Sequence, residues 1–319
     1  MENTILFGNG LNRIANNYAD WDKLLRDISS GIVLENIPNT LKYESVILAG
    51  NWAHTTFFTI NGKLIMVNDS LFSMKEPIED FIKTKIRGML LKYNSNRFYN
   101  LMAKLDVKHY LTTNYDNTLE KELTTNLGYV VVGRNSDERL YSIRRNSSVK
   151  DPNGNLKHIW PIHGSIDVPA SIMLGLDQYC GCVSKIDDFL EGKYKYSSDS
   201  TLISIKKMRE RLPNIQEQEP SSWIDLFFSS NVHIIGLGLG YEEIDLWRLL
   251  TKRQRYIKEY GTKWTPNKIY YYGSLDKETD KKKLLEILGV EVVDFAITHD
   301  YEELYENILK VIGDKISNS

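Results

Sequence analysis

Residues 4–10 read TILFGNG and residues 232–240 read VHIIGLGLG, two short apolar runs that each end in closely spaced glycines. Further apolar runs of strand length alternate with segments of helical pattern; they lie at residues 109–112, 129–132, 157–162, 268–272 and 290–295. This alternation predicts an α/β fold, a Rossmann-like doubly wound parallel sheet. Ligands of such sheets bind beyond the carboxyl ends of the strands, so the polar residues directly after each strand are the candidate ligand-binding residues.

The stretch from about 30 to 105 has a different pattern. Residues 55–60 and 63–67 flank Asn61-Gly62, which favours a β-hairpin with a type I′ turn. Helical patterns follow at 76–91 and 95–105. We expect one domain over residues 1–319, with residues of about 30–105 as an inserted smaller lobe.

Composition excludes several classes of protein. Lys plus Arg is 40 and Asp plus Glu is 42, so the net charge of −2 does not suit a strongly basic nucleic-acid binder. We expect no membrane span, because no run of 18 apolar residues occurs, and no signal peptide, because the first residues carry no positive charge. The cysteines, Cys180 and Cys182, are too few for a four-cysteine zinc site. A cytoplasmic location is expected.

Two glycine clusters follow predicted strands. Gly8-Asn9-Gly10 would let backbone N–H groups approach a pyrophosphate, although a tight turn between strand and helix explains the same glycines. The cluster from Gly236 to Gly240 would let a nucleotide sugar or an adenine pack on the backbone, although a flexible turn between strand and helix explains the same glycines. The acidic residues Glu242, Glu243 and Asp245 come next, and we expect them to be structural, since negative charge is favourable in the first turn of a helix.

Two polar clusters follow other strands. In the run from Thr112 to Asp116, Asn114 can donate and accept hydrogen bonds and so can hold a sugar hydroxyl or a water. Asp116 either contacts the ligand or caps the next helix. His163, followed by Gly164, is a candidate general base, although a buried histidine satisfied by the backbone is the alternative.

The order of these four clusters resembles that of the sirtuin family, in its divergent zinc-less bacterial branch of antiphage, abortive-infection proteins. The resemblance implies that Asn114 and His163 are catalytic and that Asp116 holds the nicotinamide side of NAD⁺. It also implies a set of binding residues: Gly8, Asn9, Gly10, Leu11, Thr113, Asp116, Gly236, Leu237 and Gly238.

The departures from the family pattern refine the expected function. The two Cys-x-x-Cys pairs of the deacylating members are absent, as is their Pro-Asp-Phe-Arg loop, so no zinc is expected. Zinc-less members are typically hydrolases that convert NAD⁺ to nicotinamide and ADP-ribose. The resemblance thus implies an NAD-depleting defence effector. Because an unrestrained enzyme of this kind would harm its own cell, we expect it to be latent until activated by homo-oligomer assembly, or by a separately encoded activator or ATPase partner. A protein deacylase, an ADP-ribosyltransferase, and a sensor or scaffold that binds NAD⁺ without catalysis are the alternatives; direct nucleic-acid binding is not expected.

Overall fold

The computed structural model describes residues 1–14, 21–28, 37–49, 57–60, 63–66, 75–135, 138–198, 200–275, 278–296 and 300–318. The strands within these ranges are β1 (Asn3–Phe7), β2 (Phe57–Ile60), β3 (Lys63–Met66), β4 (His109–Thr112), β5 (Val130–Asn135), β6 (Asn146–Lys150), β7 (Leu156–Pro161), β8 (Lys195–Ser198), β9 (Thr201–Ser204), β10 (Asn231–Ile235), β11 (Ile269–Gly273) and β12 (Val290–Asp294). The α-helices are α1 (Gly10–Arg13), α2 (Trp21–Ile28), α3 (Asn39–Ala49), α4 (Lys75–Leu90), α5 (Arg97–Ala103), α6 (Thr118–Lys121), α7 (Leu176–Leu190), α8 (Met208–Arg211), α9 (Trp223–Ser229), α10 (Ile244–Tyr260), α11 (Thr279–Ile287) and α12 (Tyr301–Ser317).

Eight of the described strands form one sheet in the order β12-β11-β10-β1-β4-β7-β6-β5. Neighbouring strands from β12 to β7 pair in parallel. The chain passes from β1 to β4 on one side and later reaches β10 on the other, so the strand order reverses at β1. The predicted α/β, Rossmann-like doubly wound fold is confirmed.

One edge of the sheet differs from the prediction. The run at 129–132 was expected to continue the parallel sheet, but β5 and β6 are antiparallel, and β5 forms the exposed edge. The sequence pattern of β6 indicates no strand, because Asn146, Ser147 and Ser148 are polar. Pairing with β7 on one side and β5 on the other imposes the strand conformation on these residues.

Helices cover both faces of the sheet. On one face, α7, α9 and α10 bury a large apolar cluster that includes Trp223, Phe227 and Leu249. On the other face, α5 and α12 pack over a second cluster that includes Tyr99 and Ile308. This two-sided burial explains why the central strands read as continuous apolar runs.

The helices predicted within the lobe, at 76–91 and 95–105, correspond to α4 and α5. The predicted hairpin is formed by β2 and β3, and its turn at residues 61–62 lies outside the described residues. Leu25 of α2, Tyr43 of α3 and Ile86 of α4 form a third apolar cluster with residues that follow β7, among them Ile172. Two helices of the lobe, α3 and α4, and the preceding α2 therefore pack against the segment that follows His163.

None of the described helices is both long enough and apolar enough to cross a membrane.

Candidate active site

The carboxyl ends of β1, β4, β7 and β10 meet around a cavity of about 750 Å³. Nine of the residues predicted to form the site line it: Asn9, Gly10, Thr113, Asn114, Asp116, His163, Gly236, Leu237 and Gly238. Gly8 and Leu11 do not line it, and Leu11 is fully buried in the core. The cavity lies at the point where the strand order reverses, which is where doubly wound sheets bind their ligands.

The two glycine loops contact each other. The N–H of Gly8 donates to the carbonyl of Ile235 at 3.1 Å, and the N–H of Gly10 donates to the carbonyl of Gly236 at 2.8 Å. A Cβ on Gly10 would lie 2.8 Å from the Cα of Gly236. The expectation that these two N–H groups meet a pyrophosphate must therefore be revised, because both donate within the protein; Gly8 and Gly10 allow the loops to approach closely.

Asn114 is buried at the wall of the cavity. Its backbone N–H donates to Oγ1 of Thr112 at 3.0 Å, which closes a tight turn directly after β4. Its Nδ2 donates to the carbonyl of Gly8 at 3.3 Å. The loop after β1 therefore anchors the side chain of Asn114, while the turn after β4 fixes its backbone.

Asp116 caps the next helix and also lines the cavity. Its Oδ1 accepts a hydrogen bond from the N–H of Thr118 at the start of α6, at 2.9 Å. Its Oδ2 accepts from Nδ2 of Asn12 at 3.1 Å, while the residue also lines the cavity. Asn12 in turn accepts from the hydroxyl of Tyr99 at 2.6 Å. Sequence reasoning did not select Asn12 or Tyr99, whose polar groups meet only once α1 and α5 are packed together.

His163 is buried against an acidic residue. Its Nε2 lies 2.9 Å from Oδ2 of Asp245, and its Nδ1 lies 3.4 Å from the hydroxyl of Tyr179. The Tyr179 ring also packs edge-on against the imidazole. Burial by itself would lower the pKa of His163, but the Asp245 carboxylate outweighs burial and the pKa is raised above 6.5. The alternative of a histidine satisfied by the backbone does not apply, because its partners are side chains.

Glu243 adds a second carboxyl group beside this pair. It lines the cavity, and within the described part of the chain its buried Oε2 has no hydrogen-bond partner. Burial raises the pKa of Glu243 to about 8, with the nearby Asp245 contributing and His163 opposing. Glu243 is therefore predominantly neutral at pH 7, although it sits among charged groups.

The structural role expected for Glu243 and Asp245 describes their position but not all of their contacts. They stand at the N-cap and in the first turn of α10, as expected for acidic residues, but neither side chain makes a capping hydrogen bond there. Asp245 is completely buried and faces His163 instead. The sequence feature that could have identified them as site residues is their position directly after a glycine loop at the carboxyl edge of the sheet.

A family model described as the SIR2-like domain matches residues 108–293, more than half of the chain. The chain belongs to the SIR2-like domain family. Members of this family use NAD⁺ as substrate. No curated protein matches the chain.

The match to the SIR2-like domain contains Asn114, His163 and the glycine loop at 236–240. It does not contain β1 or the loop after it, although both stand at the centre of the sheet. Among the described residues, no group of three or more His, Cys, Asp or Glu side chains is placed to hold a metal ion. Cys180 is exposed, Cys182 is buried, and both are free thiols.

Proposed function

We propose that this SIR2-like protein hydrolyses NAD⁺ to nicotinamide and ADP-ribose. The observation that carries the proposal is the meeting of Asn114 and the His163–Asp245 pair in one cavity of about 750 Å³. A volume of this size lies within the range of sites for cofactor-sized molecules. Membership of a family that uses NAD⁺ supports the choice of substrate.

Departure of nicotinamide needs little help from an acid catalyst. Nicotinamide leaves as a neutral molecule with the electrons of its bond to the ribose C1′ atom, because it is already cationic in NAD⁺. Water attacks the electron-poor C1′ atom and loses a proton to a base, and the proton later passes to solvent. We assign the base to His163, and we assign to Asn114 the positioning of the water or the ribose hydroxyls.

The rest of the cavity suits the dinucleotide. Arg13, a mostly exposed residue that sequence reasoning did not select, lines the cavity near the first glycine loop and can meet a phosphate. Tyr271 and Leu237 line it near the second loop and offer apolar surface for an adenosine. Asp116 lies on the wall beside Asn114, where it can contact the carboxamide of nicotinamide.

We also propose that this activity serves antiphage defence and is latent until the protein assembles with itself or with a partner. The support is the resemblance of the four clusters to zinc-less defence proteins, together with the harm that an uncontrolled NAD⁺ hydrolase would do to its own cell. Activity that rises with protein concentration would support assembly as the switch.

The test is incubation of the purified chain with NAD⁺ over a range of protein concentrations, with chromatography of the products. The wild type should release nicotinamide and ADP-ribose. His163→Ala and Asn114→Ala should each lose about 10²–10⁴-fold in turnover, as expected for removal of a base or a positioning group. His158→Ala is the matched control, because His158 lies on β7, the strand that leads to His163, and bonds to Ser148 instead of lining the cavity.

Other outcomes would contradict the proposal in distinct ways. Binding of NAD⁺ without turnover at any concentration would favour a sensor, and transfer of ADP-ribose to protein would favour a transferase. Full turnover in both cavity variants would remove His163 and Asn114 from the mechanism.

A further inference from the structure

The environment of His163 contains more than a general base requires. Its two ring nitrogens face different groups: Nε2 faces the fully buried carboxylate of Asp245, and Nδ1 faces the hydroxyl of Tyr179. Tyr179 lines the cavity, whereas Asp245 lies behind the imidazole and does not. The imidazole is thus held between a buried acid and a cavity-lining hydroxyl.

We propose that Asp245 is a positioning residue for hydrolysis: it accepts a hydrogen bond from Nε2–H of His163 and so directs the lone pair of Nδ1 toward Tyr179 and the cavity. This inference rests on the proposed function. A carboxylate has no proton to donate, so it accepts from Nε2 and leaves Nδ1 as the basic nitrogen. In hydrolysis the water loses its proton to Nδ1, directly or through the Tyr179 hydroxyl, and Asp245 stabilises the resulting imidazolium.

The other groups around His163 are consistent with this assignment. Burial raises the pKa of Tyr179 well above 10, and burial likewise raises the pKa of Tyr115, which lies near the same acids, so both keep their protons. The pKa of the Cys182 thiol is raised by burial and then by Asp245. Glu243 is predominantly neutral at pH 7, as argued above. Asp245 is therefore the main source of negative charge beside the imidazole, and Glu243 contributes less.

The first test needs no NAD⁺. In ¹⁵N-labelled wild-type protein, a pH titration followed by NMR should show His163 titrating above 6.5 and, once neutral, carrying its proton on Nε2. Assignment comes from the spectrum of His163→Ala. A neutral His163 protonated on Nδ1 would overturn the proposal, and this readout does not require any variant of Asp245 or Tyr179 to fold.

The second test replaces the carboxylate. Asp245→Asn should lower the pKa of His163 by about one unit or more, because an opposite charge in contact shifts a pKa by that amount. Asp187→Asn is the matched control on the same pair of helices, since Asp187 pairs with Arg248 at 2.7 Å and does not line the cavity. It should leave the titration unchanged. Equal shifts in both variants, or none in Asp245→Asn, would overturn the proposal.

Kinetics separate positioning from a merely structural role. Asp245→Asn should lower kcat about 10- to 100-fold while KM for NAD⁺ stays within about threefold, and the acid limb of the pH–rate profile should move to lower pH. Tyr179→Phe, which keeps the His163–Asp245 pair, should retain the raised pKa and lose kcat. A wild type that titrates as expected but leaves NAD⁺ intact would refute the proposed function and not the His163–Asp245 pairing. If Asp245→Asn instead lowers both kcat and the free energy of unfolding and leaves the pH–rate profile in place, the role of Asp245 is structural.

Discussion

Glu243 lies at the N-cap of α10, and its Oε2 is buried without a hydrogen-bond partner in the described residues. A charge at that position would be costly, and burial accordingly raises its pKa from 4.5 to about 8. Between these two values the folded protein holds a proton that the unfolded chain has lost. The contribution of this proton to stability is present below about pH 4.5 and is lost as the pH rises toward 8.

We therefore expect the stability of Glu243→Gln relative to wild type to be greater at pH 8 than at pH 5. The wild type loses stability over this range as Glu243 ionises, whereas an amide cannot ionise. The gain has an upper limit of about 1.4 kcal/mol for each pH unit between the two pKa values. Thermal unfolding of both proteins at several pH values measures it. Glu278→Gln is the control, because the carboxyl group of Glu278 is half exposed and pairs with Lys281. A constant difference in melting temperature between wild type and Glu243→Gln would show that Glu243 is ionised throughout.

At the scale of the element, the turn that follows β7 determines where His163 points. Gly164 has a φ of +103°, and a Cβ there would lie 2.3 Å from the carbonyl oxygen of Ser171. The backbone on either side is held in place, since the N–H of Gly164 donates to Pro161 and the N–H of Met173 donates to His163. No side chain fits without moving the segment that carries the imidazole.

Gly164→Ala should therefore lower the free energy of unfolding by about 2 kcal/mol or more, and should reduce any NAD⁺ turnover. Gly88→Ala is the matched control: Gly88 is exposed inside α4, a Cβ there meets nothing within 4 Å, and alanine should gain about 0.5–1 kcal/mol. Denaturant unfolding of the two variants measures both changes. Equal stability of the two variants would show that the segment from 164 to 171 can relax around the new methyl group.

The same scale shows which elements can be predicted from sequence. The central strands are predictable because burial on both faces leaves a continuous apolar run, as in Ile5–Phe7 of β1. The final helix is predictable from its apolar stripe, in which Tyr305, Ile308 and Ile312 are buried. β6 is not, because its pairing with β5 and β7 arises only in the assembled sheet.

At the scale of the whole molecule, the candidate site divides into a predictable part and an unpredictable one. Asn114 and His163 could be selected because each follows a strand directly, and parallel strands bring such residues to one edge. The partner of His163 could not, since Asp245 is 82 residues away in sequence and its contact depends on how α10 packs against the sheet. In addition, the helix dipole already accounts for acidic residues at 242–245, so nothing in the sequence gives a reason to pair Asp245 with His163.

The central strand is the feature on which the whole site depends. β1 is completely buried and pairs with β10 on one side and β4 on the other, yet it lies outside the segment that matches the family model. Without it, β10 and β4 would each lose a parallel neighbour, and the loops that carry Asn114 and Gly236 would lose the wall between them. Family membership of residues 108–293 is thus not the same as an independent folding unit.

We expect a fragment of residues 108–319 to show no cooperative thermal unfolding and no NAD⁺ binding. Co-expression with residues 1–107 should restore both if the two fragments associate, because β1 would then re-form the centre of the sheet. A second pair divided within the exposed turn at Asn153 and Gly154 is the control; this division leaves β1, β4 and β10 intact but separates them onto two chains. Circular dichroism and calorimetry report folding and binding. A cooperative transition in residues 108–319 alone would mean that β4 and β10 can form the sheet without β1. The cavity would then be formed by the residues of the matched segment, without the loop that follows β1.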